Sequence, residues 1–197
     1  MNNKARGLRV VKVGGSLLQN PRLAECLNRF LANHTEFTHL VMVGGGKPVD
    51  CLRDWQAIHQ LPDEYCHWAA IRMMSETARL LNQICPELPI VDSPFQPLGN
   101  SIFEGGAFFG NRSTLSKDWN TTSDSMAAEV AEAISADELW LFKSSLPASS
   151  NMKDWQSANF VDANFLACIQ ATPRVFVADI THASQSNETD LLSVQGI

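Results

Sequence analysis

Short apolar runs alternate with amphipathic stretches along most of the chain. The apolar runs are four to six residues long and predict buried strands at 8–13, 39–43, 88–91, 138–142 and 174–177. The amphipathic stretches repeat apolar residues at helical spacing and predict helices at 21–33, 48–60, 62–84, from Thr122 or Ser123 to Ala136, and 163–171. Residues 99–118, which hold four of the eleven glycines, predict a loop or irregular hairpin, and 144–159 a Ser/Asn-rich excursion. The last ~15 residues show no clear pattern.

Strands that alternate with helices indicate an α/β fold: a three-layer αβα sandwich with a mainly parallel central sheet. The 197 residues are enough for a sizeable core, and we expect a single domain over 1–197.

Composition narrows the function classes. The net charge of −6 argues against a nucleic-acid binder, which usually has a basic face. No apolar run has the length of a membrane span or of a signal-peptide core, so we expect a cytoplasmic protein without a membrane partner. The five cysteines form no C-x-x-C pair, which favours reduced thiols over a disulfide framework or a zinc site.

Two predicted strands end in glycine-rich turns, at Gly14-Gly15-Ser16 and at Gly44-Gly45-Gly46. Ligands of open α/β sheets bind beyond the carboxyl ends of strands, where glycines allow close approach and backbone N–H groups can cradle an anion. Lys12 stands two residues before Gly14, within reach of the same anion. The alternative for either turn is tight-turn geometry without a ligand.

Common nucleotide-binding motifs are absent from the sequence. Gly46-Lys47 is followed by Pro48, which excludes a P-loop, and neither turn contains the dinucleotide fingerprint G-x-G-x-x-G. The H-E-x-x-H, G-x-S-x-G and deaminase motifs are absent as well.

Three segments in order resemble the signature segments of the amino acid kinase superfamily: 11–17 (VKVGGSL), 41–46 (VMVGGG) and 122–128 (TSDSMAA). The superfamily includes acetylglutamate, aspartate, carbamate and uridylate kinases. The short chain, residues 67–74 and Val161-Asp162 with a following helix are most similar to one small branch. That branch contains the aminomethyl-furanmethanol-phosphate kinases of methanofuran biosynthesis and bacterial relatives in tetrahydromethanopterin-dependent C1 metabolism.

The resemblance implies an amino acid kinase-like fold and ATP with Mg²⁺ as cofactors, the magnesium being carried by ATP. It implies that Lys12 contacts the transferring phosphoryl group, which the turn of Gly14, Gly15 and Ser16 cradles. The turn of Gly44, Gly45 and Gly46 would face the acceptor, and Asp124 would orient the catalytic lysine or lysines. From the residues alone, Asp124 could equally be an acid at the start of a helix.

The chain departs from the superfamily at its nucleotide loop. Residues 141–147 read LFKSSLP, without the usual aspartates and glycine, and the late glycine-rich segment that carries a second catalytic lysine has no match. Lys143, with Ser144 beside it, could replace that lysine at the nucleotide. A surface lysine at a strand end is the alternative.

On the acceptor side the candidates are Asp50, Arg53, His67 and Arg72. The arginines could bind a carboxylate or phosphate with two hydrogen bonds, but arginines on amphipathic helices are often simply solvated. His67 could equally be a structural histidine. Helices 48–60 and 62–84, with Trp55, Trp68 and Met73-Met74, could form the face of a homodimer or higher homo-oligomer, as in many superfamily members.

These observations predict an ATP-dependent small-molecule kinase that acts on a carboxylate or phosphate acceptor. The main alternative is a non-catalytic nucleotide or metabolite sensor on the same fold, suggested by the altered nucleotide loop. A phosphate-binding α/β protein unrelated to kinases is a third possibility, because a fold alone does not fix a function.

Overall fold

A computed structural model describes residues 6–95, 97, 99–169, 174–180 and 191–193. Seven strands form one sheet: β1 (Gly7–Val13), β2 (Phe37–Val43), β3 (Ile90–Val91), β4 (Ser101–Phe103), β5 (Glu138–Lys143), β6 (Arg174–Asp179) and β7 (Leu191–Ser193). The helices are α1 (Leu23–Asn33), α2 (Gly46–His59), α3 (Asp63–Ile84), α4 (Gly106–Arg112), α5 (Ser123–Ala133), α6 (Met152–Ser157) and α7 (Phe165–Cys168). A short 3₁₀ helix covers Gly15–Gln19.

The strand order is β3-β4-β2-β1-β5-β6-β7. The first six strands are parallel, and β7 pairs antiparallel with β6 at the edge. Along each central strand, alternate side chains point to opposite faces. Val10 packs on the face that α5 covers, and Val11 on the face that α1 covers. The predicted αβα sandwich with a mainly parallel sheet is therefore confirmed.

The prediction of a loop or irregular hairpin at 99–118 is partly wrong. It contains β4, a three-residue strand buried beside β2, and α4, whose Phe108 and Phe109 pack into the core. A strand this short has too few residues to show a period, and Gly106 and Gly110 hide the helical signal. Helix α6 likewise lies inside the predicted excursion 144–159.

Several predicted boundaries move. Helix α5 ends at Ala133 rather than Ala136, close to Ser135, whose φ of 52° is left-handed. Strand β3 contains only Ile90–Val91, and α7 contains only Phe165–Cys168. Residues 170 and 171 at the end of the predicted helix 163–171 lie outside the described residues. Most of the C-terminal stretch, for which the sequence shows no clear pattern, lies outside them as well.

Strands β1, β2 and β5 end at the same edge of the sheet. Val13 lies in register with Val43 on one side and with Phe142 on the other. The two glycine-rich turns and Lys143 therefore meet at one place. Among the described residues, no helix is both long and apolar enough to cross a membrane.

Candidate active site

Three charged side chains meet at the carboxyl edge of the sheet. Lys12 Nζ lies 2.7 Å from Asp124 Oδ1, and Lys143 Nζ lies 2.7 Å from Asp124 Oδ2. The contact with Lys12 lacks the alignment of a hydrogen bond and is an ion pair, whereas Lys143 donates a hydrogen bond. Lys12 projects from β1 and Lys143 ends β5, while Asp124 lies in the first turn of α5. We call these three residues the lysine–aspartate triad.

The triad is almost dry. Lys12 and Asp124 are each 5% exposed. Burial alone would raise the pKa of the Asp124 carboxyl, but Lys12 and Lys143 together outweigh it and hold that pKa below its ordinary value. Burial lowers the pKa of Lys143, the ammonium of Lys12 lowers it further, and Asp124 opposes both. The triad therefore holds concentrated positive charge around one carboxylate, away from bulk water.

The two glycine turns touch each other. A Cβ atom on Gly15 would lie 2.2 Å from Gly46 N and 2.7 Å from Gly44 O, so only glycine fits there. Gly46 adopts a left-handed φ of 59°, and a Cβ on it would lie 2.7 Å from Gly15 O. Close backbone packing between the turns thus explains Gly15 and Gly46, in addition to any approach by a ligand.

A cavity of about 230 Å³ opens beside the triad. The amino ends of α2 and α5 contribute to its wall, and their backbone dipoles favour negative charge there. Of the candidates, it is lined by Lys12, Gly15, Ser16, Gly44, Gly45, Gly46, Asp50, Arg53, His67 and Asp124. The structure thus gathers most of the predicted phosphate and acceptor residues in one place.

The acceptor candidates differ in their surroundings. Arg53 donates to Asp50 Oδ1 at 3.0 Å, and its guanidinium lies 4.4 Å from the ring centre of Trp119. The Arg53 side chain is 42% exposed, so it keeps contact with solvent as well as with the cavity. His67 is buried, and this burial holds its pKa below the ordinary value. His67 therefore faces the cavity as a neutral ring at pH 7.

Four predicted residues do not line the cavity. Gly14 N–H donates to Phe142 O at 2.8 Å, so this amide is engaged within the sheet and is not part of an anion cradle. Lys143 and Ser144 lie beyond Asp124, outside the wall of the cavity, and Ser144 is exposed. Arg72 lies on the outer side of α3, in a groove with Tyr65 and Glu76, and does not line the cavity.

The sequence matches the amino acid kinase family over residues 7–145. The chain belongs to the amino acid kinase family. The match begins at β1 and ends just after β5, so it contains the whole triad. No curated protein sequence matches the chain significantly.

Solved structures of several kinases share the fold. The UMP kinase of Bacillus anthracis is 13% identical with a TM-score of 0.63, covering 92% of this chain and 90% of that one. The uridylate kinase of Archaeoglobus fulgidus is 16% identical with a TM-score of 0.60, covering 86% and 88%. The aspartate kinase of Synechocystis is 18% identical with a TM-score of 0.52, covering 70% of this chain and 28% of that one. At these identities the likeness concerns the fold.

Two further residues at this edge of the amino acid kinase fold were not among the predicted site residues. Trp119 lines the cavity and donates from its indole N–H to Gln56, so it ties the loop before α5 to α2. Phe160 accepts a hydrogen bond from Lys143 Nζ through its backbone carbonyl, at 2.5 Å. Neither gives a sequence signal, because a tryptophan in a loop and a backbone carbonyl have no characteristic spacing.

Proposed function

We propose that the protein is an ATP-dependent kinase that transfers the γ-phosphoryl group of ATP to a carboxylate or phosphate group of a small acceptor. One observation carries this proposal: a buried carboxylate, Asp124, is held between two lysine ammonium groups at the edge where the two glycine turns meet. Such an arrangement suits phosphoryl transfer, which needs charge neutralisation and positioning more than covalent catalysis.

The triad fits the charge changes of that reaction. An acceptor oxygen attacks the γ-phosphorus, the bond to the bridging oxygen breaks, and ADP leaves with the electron pair. Lys12 and Lys143 would stabilise negative charge on the transferring group and on the leaving group, while Asp124 keeps the ammonium groups in place. An ionised carboxylate or phosphate has no proton to lose, so this acceptor class needs no general base.

The two lysines lie on different sides of Asp124. Lys12 lines the cavity, whereas Lys143 lies beyond it at the end of β5. We infer that the acceptor occupies the cavity, with the nucleotide on the side of Lys143 and Ser144. Both oxygens of Asp124 are engaged by lysines, so the magnesium ion would be held by the phosphate oxygens of ATP.

The acceptor should be small. Ligand pockets are commonly about 300–1,000 Å³, and this cavity of about 230 Å³ falls below that range. The assignment to the branch of the aminomethyl-furanmethanol-phosphate kinases, and with it a methanofuran or tetrahydromethanopterin pathway, stays a prediction from sequence resemblance.

A homo-oligomer is also proposed, through the outer faces of α2 and α3. Trp55 is 52% exposed and Tyr65 is 54% exposed on these helices. Trp68 and Met74 contribute less to this face than the sequence suggested, because both pack against the core.

A non-catalytic sensor remains the second candidate function. The observation that favours it is the segment 141–147 (LFKSSLP), which lacks the aspartates and the glycine of the nucleotide loop that the chain resembles. The retained triad favours catalysis instead, because a pure binder has no need to keep two lysines around a buried carboxylate.

The test combines binding with turnover. Titration calorimetry with ATP and Mg²⁺ should show nucleotide binding, and an ADP-release assay over carboxylates and phosphomonoesters should identify an acceptor. Lys12→Ala should lower turnover on that acceptor by about 10²–10³ and serves as the control for contaminating kinases. Absence of binding at millimolar ATP would refute the kinase and a nucleotide sensor alike. Binding without any phosphorylated acceptor would support the sensor.

A further inference from the structure

The start of helix α5 is held by an aspartate from a distant part of the chain. Asp162 Oδ2 accepts hydrogen bonds from Thr122 N at 2.8 Å, Thr122 Oγ1 at 2.7 Å and Ser125 N at 3.0 Å. Asp162 Oδ1 accepts from Ser125 Oγ and from Asn164 N, the latter at 3.2 Å. Helices are usually capped by the side chain of their own N-cap residue. Thr122 occupies that position here, makes no side-chain cap of its own and donates to Asp162 instead.

The same segment reaches the triad directly. Two residues before Asp162, the Phe160 carbonyl accepts from Lys143 Nζ at 2.5 Å, and the Phe160 ring centre lies 4.7 Å from that nitrogen. Asp124 lies between Thr122 and Ser125, the two residues of this turn that donate to Asp162. Residues 160–162 therefore contact Lys143 on one side and fix the helical turn that carries Asp124 on the other.

We propose that Asp162 is a positioning residue, which holds Asp124 and Lys143 in the geometry that phosphoryl transfer requires. This inference rests on the proposed function, since it assigns a role within that reaction. Residues 160–162 lie outside the stretch that matches the amino acid kinase family, which ends at residue 145. The inference thus concerns a part of this chain to which the family match gives no role.

A purely structural cap would stabilise α5 and do nothing else. Asp162 differs from such a cap because its charge also acts on Lys143. Several charged groups act on Lys143: Asp124 from α5, Lys12 from β1 and Asp162 from the segment before α7. Asp179 on β6 lies in register with Lys143. Burial and Lys12 lower the pKa of Lys143, and Asp162 is among the groups that oppose this. Removing its charge should lower the pKa of Lys143 further.

The experiment compares Asp162→Asn with a matched control, Asp137→Asn. Asp137 Oδ2 also accepts from a backbone N–H, that of Leu8 at 2.8 Å, but it lies at the opposite edge of the sheet. The titration of Lys143 is followed by carbon-13 NMR of labelled protein, with Lys143→Arg for assignment. We expect Asp162→Asn to move this titration to lower pH and Asp137→Asn to leave it unchanged. An unchanged titration in Asp162→Asn would overturn the proposal.

Kinetics give the second measurement. Misplacing a group by about 1 Å can cost about 100-fold in rate, so Asp162→Asn should lower kcat by about 10- to 100-fold with a smaller change in the KM for ATP. Equal kcat in the variant and the wild type would overturn the proposal. If Asp162→Asn does not fold, Ser125→Ala removes one donor to Asp162 from outside the cavity wall. It should lower kcat, and unchanged kcat in Ser125→Ala would then count against positioning.

The two readouts separate this inference from the proposed function. The NMR titration needs neither an acceptor nor turnover. A shifted Lys143 titration in a protein that phosphorylates nothing would refute the kinase and still support the coupling between Asp162 and Lys143. Normal kinase activity with an unshifted titration would refute the coupling alone.

Discussion

Replacing Asp124 by asparagine is the sharpest perturbation of the proposed site. The substitution keeps the size of the side chain and removes a charge that contacts Lys12 and Lys143, each at 2.7 Å. It would leave two ammonium groups close together in a site that is almost closed to water. Removing one partner of a buried ion pair typically costs about 3–5 kcal/mol, because the remaining charge is uncompensated. We expect a loss of that order in the free energy of unfolding.

The effect on turnover should be larger than stability alone explains. Electrostatic stabilisation of this kind is worth about 10²–10³ in kcat for each group. Asp124→Asn should therefore lower kcat by about 10²–10³, and Lys12→Ala by a comparable factor. Because both residues serve one interaction, the double variant should lose much less than the product of the two single losses.

Glu138→Gln is the matched control. Glu138 is also a buried carboxylate between two cations, with Arg9 Nη2 and Arg174 Nη2 each at 2.6 Å, but it lies at the start of β5. It should lose comparable stability and keep its turnover per folded molecule. Urea unfolding gives the stability of each variant, and the ADP-release assay with the identified acceptor gives kcat. Multiplicative losses in the double variant, or near-normal kcat in Asp124→Asn, would refute the reasoning.

His39 is buried with a pKa of about 4, against 6.5 when free. The neutral ring therefore contributes on the order of 3 kcal/mol to the free energy of unfolding above about pH 6.5, and this contribution is lost as the pH falls towards 4. The free energy of unfolding in urea should thus depend less on pH for His39→Gln than for the wild type. Gly46→Ala should lower the free energy of unfolding by at least about 1–2 kcal/mol, because Gly46 has a left-handed φ. Gly110→Ala, with open space around it, should be neutral or stabilising. Equal unfolding midpoints for the two variants would contradict this. Trp119→Ala should raise the KM for the acceptor and leave the KM for ATP unchanged, and the reverse pattern would place the acceptor outside the cavity.

The central sheet could be predicted because its strands are long enough to show their pattern. Strands β1, β2 and β5 have six or seven residues, most of them buried and apolar. Strand β4 and helix α4 were not predicted from the sequence. The three residues of β4 are too few to show a period, and two glycines weaken the helical signal of the seven-residue α4. Their place in the core depends on tertiary packing of Phe103, Phe108 and Phe109.

At the candidate site, the residues could be predicted better than their partners. Lys12 and Asp124 follow from the resemblance, and the sequence left Lys143 open between a site residue and a surface lysine. The structure places its ammonium 2.7 Å from Asp124, which is not the position of a surface lysine. The contacts that Phe160 and Asp162 make depend on how the chain after β5 returns to α5. No local pattern encodes that return, because the hydrogen bonds join residues 17 to 40 positions apart.

Among the described residues, the buried carboxylates Asp124 and Glu138 each lie between two cations, and the differences between their clusters identify the one suited to chemistry. The two clusters lie at opposite ends of β5. Five residues of strand separate Glu138 from Lys143, which corresponds to about 17 Å. Glu138 binds arginines, whose charge is permanent and whose planar guanidinium groups suit fixed pairing. The guanidinium of Arg9 also lies 3.8 Å from the ring centre of Phe37. Asp124 binds lysines, whose compact ammonium groups can contact a phosphoryl oxygen without leaving their place. The Asp124 cluster also lies at the carboxyl edge of the sheet, where parallel α/β folds bind ligands, with a cavity beside it. Buried charge alone would not separate the two clusters; the kind of cation and the edge of the sheet do.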